Sequence, residues 1–203
     1  MDVITVIIFS YFSGSIPFGL ILTKVFTGHD VRKIGSGNIG ATNVLRTGNK
    51  YLALSTLILD AIKGYVPVII AIKYFPELIE LSCLATFLGH LFPIWLKFKG
   101  GKGVATYLGI LFAISIQLSL LFIFTWLVVS LIFKYSSVSS MFSSLTVFIV
   151  NAVKDTAMQS IGVNINSDVN IKLILFIFLI LIIFTHRKNI SNLKNKTEQK
   201  IKI

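Results

Sequence analysis

The chain has 203 residues, of which 55% are hydrophobic and only 13% are charged, and its mean hydropathy is +0.85. Soluble domains carry about a quarter charged residues, so this composition excludes a soluble domain and indicates an integral membrane protein. The formal net charge of +11 does not indicate a nucleic-acid partner, because the cations lie beside apolar segments rather than on one basic domain.

Apolar segments of spanning length, or slightly less, follow one another along the chain. Five occupy residues 3–25, 51–73, 79–97, 117–134 and 170–186, and two shorter ones occupy 104–115 and 137–152. The first contains no cation before Lys24, which favours a retained span over a cleaved signal peptide. We therefore predict an all-α fold of about seven transmembrane helices in one bundle, with residues 1–203 forming a single domain. Five spans are the alternative if the short segments are re-entrant.

The distribution of charge predicts the orientation of these spans. With the N-terminus outside, 15 of the 19 Lys and Arg residues fall on cytosolic segments or the span ends beside them, and five of the eight acids fall outside. This satisfies the positive-inside rule and predicts a cytosolic C-terminus. The inner segments are 26–50, 98–103 and 187–203, with a short inner turn near 135–136, and residues 153–169 are predicted to form a polar outer loop.

The first inner segment combines glycines and short polar side chains with cations, among them Arg46. Residues 35–40 fit G-x-G-x-x-G, but a dinucleotide site needs a preceding strand, and here a membrane span precedes the motif. Small polar groups among glycines and cations suit an anion, and a glycine-rich polar loop without a ligand is the alternative. The candidates for anion binding are Ser36, Gly37, Asn38, Thr42, Asn43 and Arg46.

The second inner segment places three glycines and three lysines over residues 97–103, where one apolar segment ends and another begins. Glycines allow backbone N–H groups to turn toward a ligand, and such concave nests favour anions. The segment is not a Walker A loop, because Gly103 follows Lys102 where Ser or Thr is required. We predict a phosphate site at a membrane surface, with an ordinary cytosolic turn as the alternative. His90, near the same end of its span, is either a packing residue or a functional intramembrane group.

Two pairs of polar residues share a helix face. His186 and Asn189 do so if the last helix continues past the membrane, and Glu198 follows them. A basic stop-transfer tail explains the neighbouring cations but explains these two residues poorly. Asp60 and Lys63 share a face within the second span, and we predict a structural ion pair that supports the site.

In order, these segments resemble those of the bacterial membrane acyl-phosphate:glycerol-3-phosphate acyltransferases. The runs 35–46, 89–106 and 186–190 carry the resemblance, together with residues 13–19 in the first span. The chain departs from the family pattern at Asn192, where members usually have arginine, and at Lys196, where they usually have glycine. Glu198 aligns with the family's glutamate.

The resemblance implies transfer of a fatty acyl group from acyl phosphate to the sn-1 hydroxyl of glycerol 3-phosphate, which yields lysophosphatidate and phosphate. It places the enzyme in the bacterial cytoplasmic (inner) membrane, with its active site facing the cytosol, membrane lipid around it and an acyl-phosphate-forming enzyme as supplier. Acyl phosphate is a mixed anhydride, and Cys83 lies within a span, so we expect direct attack by the glycerol hydroxyl. His186, His90 or the substrate's own phosphate accepts the proton. We expect no cofactor, no metal and no need for magnesium.

The site residues implied by the motifs fall into three groups. The catalytic candidates are Ser36, His90, His186 and Asn189. The substrate-binding candidates are Arg46, Lys102, Gly100, Gly101, Gly103, Gly37, Asn38, Thr42 and Asn43. The supporting residues are Asp60, Lys63 and Glu198.

Two other readings compete with this one. A transporter or channel for a phosphorylated anion would also combine intramembrane charges with discontinuous helices. Acyltransferases of the His-x4-Asp type catalyse a related reaction, but Ile34, Trp95 and Ser191 stand five residues after the three histidines. The chain therefore lacks that motif.

Overall fold

A computed structural model describes residues 1–160 and 171–201, and within these ranges the chain is helical with no β-strand. The predicted all-α membrane fold is confirmed. Short 3₁₀ turns cover Val31–Lys33, Pro76–Leu78 and Ile94–Leu96. The α-helices are α1 (Asp2–Ser15), α2 (Phe18–Thr27), α3 (Ala41–Leu45), α4 (Lys50–Tyr74), α5 (Ile79–Leu91), α6 (Val104–Ile114), α7 (Ile116–Phe133), α8 (Ser136–Ser160), α9 (Ile171–Thr185) and α10 (Arg187–Lys194).

Five stretches of the described chain are long and apolar enough to cross a membrane. They are Asp2–Thr27, Lys50–Tyr74, Pro76–Leu96, Ile116–Phe133 and Ser136–Lys154, and α9 with α10 adds a sixth if this pair, bent by 53°, is one span. Helix α6, predicted as a short span, has only 11 residues. Seven spans and an outside N-terminus stay predictions.

Helix α8 is longer than the sequence pattern indicated. It continues through Ser160, so the predicted polar loop 153–169 is wrong for residues 153–160. No glycine or proline interrupts the sequence before Gly162, and a helix without a stop signal continues past its apolar part. The rest of the predicted loop, residues 161–169, lies outside the described residues.

The chain forms two compact units, Met1–Ile114 and Ser115–Ile203. The single domain expected over residues 1–203 stays a prediction. In unit 1, α1 and α5 run parallel, because contacts pair Ser10 with Ser82 and Gly14 with Thr86. A Cβ at Gly14 would overlap the Thr86 carbonyl, so the two backbones touch. Small residues at helix crossings are a typical means of close packing in membranes.

Helices α4 and α6 pack antiparallel through a second pair of glycines. Gly64 lies against the backbone of Thr106, and Gly109 lies against that of Ala61. Residue numbers fall along α4 from Gly64 to Ala61 as they rise along α6 from Thr106 to Gly109, so the two helices are antiparallel. The N-terminal end of α6 therefore lies beside the middle of α4. Together with the parallel packing of α5 on α1, this brings the C-terminal ends of α1 and α5 and the start of α6 to the same level.

The first span is broken at Ile16–Pro17, where α1 ends and α2 begins. The ammonium of Lys63, from the middle of α4, donates to the Ile16 carbonyl at 2.5 Å and pairs with the Asp60 carboxylate at 2.7 Å. Both side chains are 3% exposed. The predicted ion pair therefore forms, and the Lys63 ammonium is a second donor to the Ile16 carbonyl, which also accepts the Phe18 N–H at 3.1 Å.

In unit 2, α7 and α8 pack through a serine-rich face of α8. Ser139, Ser143 and Ser144 are buried, and their hydroxyls donate to helix carbonyls three or four residues back. The Trp126 indole of α7 donates to the Ser140 hydroxyl at 3.2 Å. Small side chains whose hydroxyls are satisfied locally allow the two helices to approach closely.

Candidate active site

The first inner segment is folded around the side chain of Asn43. Its amide nitrogen lies 2.7–3.0 Å from the carbonyl oxygens of Val31, Ile34 and Asn38, and its Oδ1 accepts the Ser36 N–H at 2.9 Å. The residue is 2% exposed. Asn43 therefore holds the loop, because its donors and acceptor are used by the loop backbone, and its contact with the substrate stays a prediction.

The remaining polar residues of this segment lie around the Asn43 side chain. Ser36 and Thr42 are exposed, and the Asn38 Oδ1 accepts the Gly40 N–H at 2.9 Å. The side chain of Arg46 lies against Gly35, because a Cβ there would approach the Arg46 Cδ closely. The loop thus brings a guanidinium to the stretch that exposes Ser36. The Gly37 N–H donates to the Ile34 carbonyl at 3.0 Å, and the role of Gly37 in substrate binding stays a prediction.

A local ion pair fixes the entry to this loop. Asp30 accepts the Arg32 N–H at 2.9 Å, and its carboxylate meets the Arg32 guanidinium at 2.6 Å. The hydrogen bonds from the Arg32 side chain lower the pKa of the Asp30 carboxyl to about 2. The same carboxylate raises the pKa of Arg32. Both groups stay charged across the physiological pH range and stabilise the 3₁₀ turn.

The glycines of the second inner segment pack against the end of α5 rather than presenting donors to a ligand. The N–H groups of Gly100 and Gly101 donate to the carbonyls of Leu91 and His90 at 3.0 and 3.1 Å. A Cβ at Gly101 would overlap the His90 imidazole, and one at Gly103 would overlap the Phe87 ring. These two N–H groups are thus used by the protein, and the predicted role of Gly100 and Gly101 in substrate binding stays a prediction. Gly103 has φ +82°, a conformation that favours glycine.

His90 is enclosed by this fold-back. It is 3% exposed, its Nδ1 lies 3.0 Å from the Thr106 hydroxyl, and its ring faces Gly101. These contacts join the end of α5 to the loop and to the start of α6. They fit a residue that positions Lys102, which follows Gly101, and they do not fit the predicted proton acceptor.

The two segments share a small apolar core at one end of unit 1. Leu96, six residues before Lys102, packs against a buried cluster that includes loop residues of the first segment. The cluster consists of Leu20, Val31, Ile39, Val44, Leu52 and Ala53. The second segment is further fixed to α1 by hydrogen bonds from Trp95 to Ser15 at 2.8 Å and from Tyr11 to the Phe92 carbonyl at 2.7 Å. The structure therefore brings together the segments that carry Arg46 and Lys102.

The third motif lies in unit 2, at the junction of α9 and α10. His186 is 2% exposed, and its Nδ1 lies 2.8 Å from the Ile182 carbonyl. A carbonyl only accepts, so Nδ1 carries the hydrogen, and neutral His186 has its lone pair on Nε2. This tautomer is the one required of a base that acts through Nε2.

The carboxylate of Glu198 joins this motif to the start of α8. Its Oε1 accepts from the Asn189 amide at 2.6 Å and from the Ser137 hydroxyl at 3.0 Å, and its Oε2 accepts from the Asn192 amide at 3.3 Å. Glu198 thus contacts the motif, and its supporting role in the site stays a prediction. Because a carboxylate only accepts, it also fixes which side of the Asn189 amide faces it.

Several residues in these contacts were not predicted as part of the site. Thr106 and Trp95 lie in apolar stretches, and only their hydrogen bonds to His90 and Ser15 show that they belong to this region. Ser137 lies among many serines, and Asn192 stood out only as a departure from the family pattern. As for metals, no group of three or more His, Cys, Asp or Glu side chains within residues 1–160 and 171–201 is suited to hold an ion.

Comparisons with known proteins agree with this arrangement. The family model described as glycerol-3-phosphate acyltransferase matches residues 4–196. A glycerol-3-phosphate acyltransferase of Pelagibacter ubique is 52% identical over 203 residues, covering all of both chains. Another, of Brucella anthropi, is 47% identical over 201 residues, covering 99% of this chain and 94% of the relative.

The same similarity extends to solved structures. The crystal structure of PlsY (YgiH), an integral membrane glycerol 3-phosphate acyltransferase, in its glycerol 3-phosphate form matches all of this chain and 96% of that protein, with a TM-score of 0.87 and 35% identity. Its lysophosphatidic acid form matches with a TM-score of 0.84 and 33% identity. This chain is therefore a multi-pass membrane protein that belongs to the glycerol-3-phosphate acyltransferase family.

Proposed function

We propose that this enzyme transfers a fatty acyl group from acyl phosphate to the sn-1 hydroxyl of glycerol 3-phosphate. The proposal is supported above all by the shared apolar core of unit 1, which holds the segments bearing Arg46 and Lys102 at one end of the unit. Both substrates carry a phosphate, so the reaction requires cationic groups on neighbouring segments. Charge-assisted hydrogen bonds from these side chains suit phosphate oxygens.

Positioning supplies much of the rate enhancement in this scheme. Lys102 and Arg46 bind the phosphate groups, and Ser36 and Thr42, exposed on the same loop as Arg46, contact the polar part of a substrate. Gly103 and Asn38 shape the segments. Holding two reactants in attack geometry can lower the activation free energy by several kcal/mol, and by roughly 7–11 kcal/mol in the best intramolecular cases.

The chemical step is a direct acyl transfer. The sn-1 hydroxyl oxygen attacks the acyl carbonyl carbon, the bond from that carbon to the phosphate oxygen breaks, and phosphate leaves with the electron pair. The hydroxyl proton passes to an oxygen of the substrate's own phosphate. In unit 2, His186 and Asn189 stay catalytic candidates: the Nδ1–H of His186 is held by the Ile182 carbonyl, and the Asn189 amide donates to Glu198. His90 acts only through the position of Lys102.

The surroundings of the reaction follow from the distribution of charge. With the N-terminus outside and seven spans, the cationic segments face the cytosol of a bacterium, where glycerol 3-phosphate is available. The acyl chain of the donor stays in the inner membrane, and a separate acyl-phosphate-forming enzyme supplies it. Neither a cofactor nor magnesium takes part in the scheme.

One experiment tests the donor. Purified protein receives glycerol 3-phosphate with acyl phosphate, acyl-CoA or acyl-carrier protein in separate reactions, with EDTA present, and the position of the new ester is determined. We expect 1-acyl lysophosphatidate from acyl phosphate alone. Equal product from acyl-CoA contradicts the proposal that acyl phosphate is the donor. Recovery of activity on adding magnesium, after its loss in EDTA, contradicts the metal-free scheme. Uptake of labelled glycerol 3-phosphate into proteoliposomes without acylation favours the transporter.

A pair of lysine variants tests the site. Lys102→Ala is expected to lower kcat/KM at least about a hundredfold, as the loss of one preorganised group that stabilises developing charge does. The matched control is Lys73→Ala, because Lys73 is exposed at the C-terminal end of α4, over the Tyr74 ring. Near-normal turnover of a folded Lys102→Ala protein contradicts the assignment, as does an equal loss in the control.

A further inference from the structure

The turn formed by residues 94–99, between α5 and the glycines, presents large apolar side chains outward. Ile94 is 48% exposed, and Trp95 and Phe98 are each 57% exposed. Lys97 and Lys99 stand between and beside these residues and are also exposed. By contrast, Gly101 and Gly103 are buried and Lys102 is half-buried. The run of glycines and lysines is therefore divided into an outward half and an inward half.

This outward half is held in place by many hydrogen bonds. The N–H of Phe98 donates to the Pro93 carbonyl at 3.0 Å, and that of Lys99 donates to Leu96 at 3.1 Å. Lys97 and Phe98 adopt φ values of 52° and 60°, a left-handed conformation that is unfavourable for side chains other than glycine. The fold thus maintains a strained turn that projects an aromatic ring and a lysine away from the protein.

Lys97 and Lys99 have no acidic partner among the described residues. In unit 1, Asp30 pairs with Arg32 and Asp60 with Lys63, whereas the remaining acids lie near the opposite ends of α1 and α5. The turn follows directly on the apolar stretch Pro76–Leu96, so its apolar side chains meet lipid. Two unneutralised ammonium groups beside exposed aromatic rings at the end of a span match an anionic membrane interface.

We propose that the 94–99 turn is a docking surface for anionic phospholipid headgroups. Lys97 and Lys99 contact the lipid phosphates, and Trp95 and Phe98 lie among the upper parts of the acyl chains. The surface is separate from the proposed substrate site, because Lys102 faces inward from the same segment. The proposal requires only the exposed groups of the turn and does not depend on which acyl donor the enzyme uses.

The chain's two tryptophans allow a direct test. In a Trp126→Phe background, Trp95 is the only indole, and brominated lipids in contact with it quench its fluorescence. The protein is reconstituted in phosphatidylcholine vesicles that contain brominated phosphatidylglycerol or, separately, brominated phosphatidylcholine at the same low mole fraction. We expect the anionic lipid to be enriched at Trp95 about fivefold if one lysine contributes, and about thirtyfold if both contribute fully.

Charge variants and competition separate the outcomes. Lys97→Gln/Lys99→Gln should abolish the preference, Lys73→Gln should retain it, and high salt should weaken it in the unmodified turn. Equal quenching by the two brominated lipids overturns the proposal, as does a preference that survives the double substitution. Loss of the preference on addition of inorganic phosphate, but not of sodium chloride at the same ionic strength, also overturns it, because the lysines would then bind a free anion rather than a headgroup.

Discussion

Lys63→Met is expected to destabilise the protein strongly, because Lys63 neutralises a buried carboxylate and also donates to a backbone carbonyl. Its ammonium lies 2.7 Å from the Asp60 carboxylate and 2.5 Å from the Ile16 carbonyl at the break in the first span. Methionine preserves most of the side-chain volume but provides neither the charge nor the donor. The substitution therefore leaves a buried carboxylate without its cation, whereas the Ile16 carbonyl loses one of two donors and keeps the Phe18 N–H.

The magnitude follows from these two losses. Breaking a buried ion pair by removing one partner lowers the free energy of unfolding by about 3–5 kcal/mol. The lost hydrogen bond to the Ile16 carbonyl, which keeps the Phe18 N–H as a donor, lowers it by about 1 kcal/mol. We therefore expect about 4–6 kcal/mol in total for Lys63→Met. The double variant Asp60→Leu/Lys63→Met removes both charges and retains only the lost hydrogen bond, about 1 kcal/mol.

The assay is equilibrium unfolding of purified protein in mixed micelles of increasing denaturing detergent, with Lys73→Met as the surface control. The double variant should be more stable than the single variant Lys63→Met, although it departs further from the native sequence. A double variant that is equally or less stable refutes the reasoning, because the lost free energy would then arise from packing rather than from an unpaired buried charge.

Three further outcomes follow from the loops. Gly101→Ala forces a methyl group against His90 and should lower the free energy of unfolding by about 1–3 kcal/mol while raising KM for glycerol 3-phosphate; thermal melts and initial rates that both match the native protein contradict this. Asn43→Ala removes the hub of the first loop, so the amides of residues 31–40 should lose protection in hydrogen exchange, and retained protection would argue against that role. Asp30, with its pKa lowered to about 2 from an unfolded value of about 3.9, stabilises its turn fully above about pH 4, and this stabilisation is lost as the pH falls through about 2. A carboxyl titration should show the Asp30 pKa rising in Arg32→Gln, and an unchanged value would exclude the ion pair as its cause.

The fold could largely be predicted because apolar length and the placement of cations are strong signals for membrane helices. The same signals could not locate the break at Ile16–Pro17, since an apolar run continues on both sides of it. Nor did they give the end of α8, where polar residues continue a helix that no glycine or proline stops. Hydropathy indicates whether a segment can lie in a membrane, whereas the position of a helix end depends on local hydrogen bonding.

The glycines show why the site was harder to predict than the fold. Glycine permits a positive φ, exposes a backbone N–H, or allows another group to occupy the position of a Cβ, and these three uses look identical in a sequence. At Gly100 and Gly101 the third use applies, because the His90 carbonyl and imidazole fill that space. Only the packing partner distinguishes the uses, and it comes from a different helix.

A sequence also does not show whether a polar residue holds the fold or contacts a substrate. The hydrogen bonds that the residue makes within the protein distinguish these two roles. A buried side chain whose donors and acceptors are used by the protein has nothing left to offer a substrate, as with the amide of Asn43. His90 is limited in the same way by Thr106 and Gly101. We expect substrate contacts to depend on the side chains that are exposed on such fixed loops, above all Ser36. The polar residues of the two inner segments therefore fall into two groups: those that hold the loops in shape and a smaller number that the loops expose to a substrate. Substitutions should lower stability in the first group and turnover in the second.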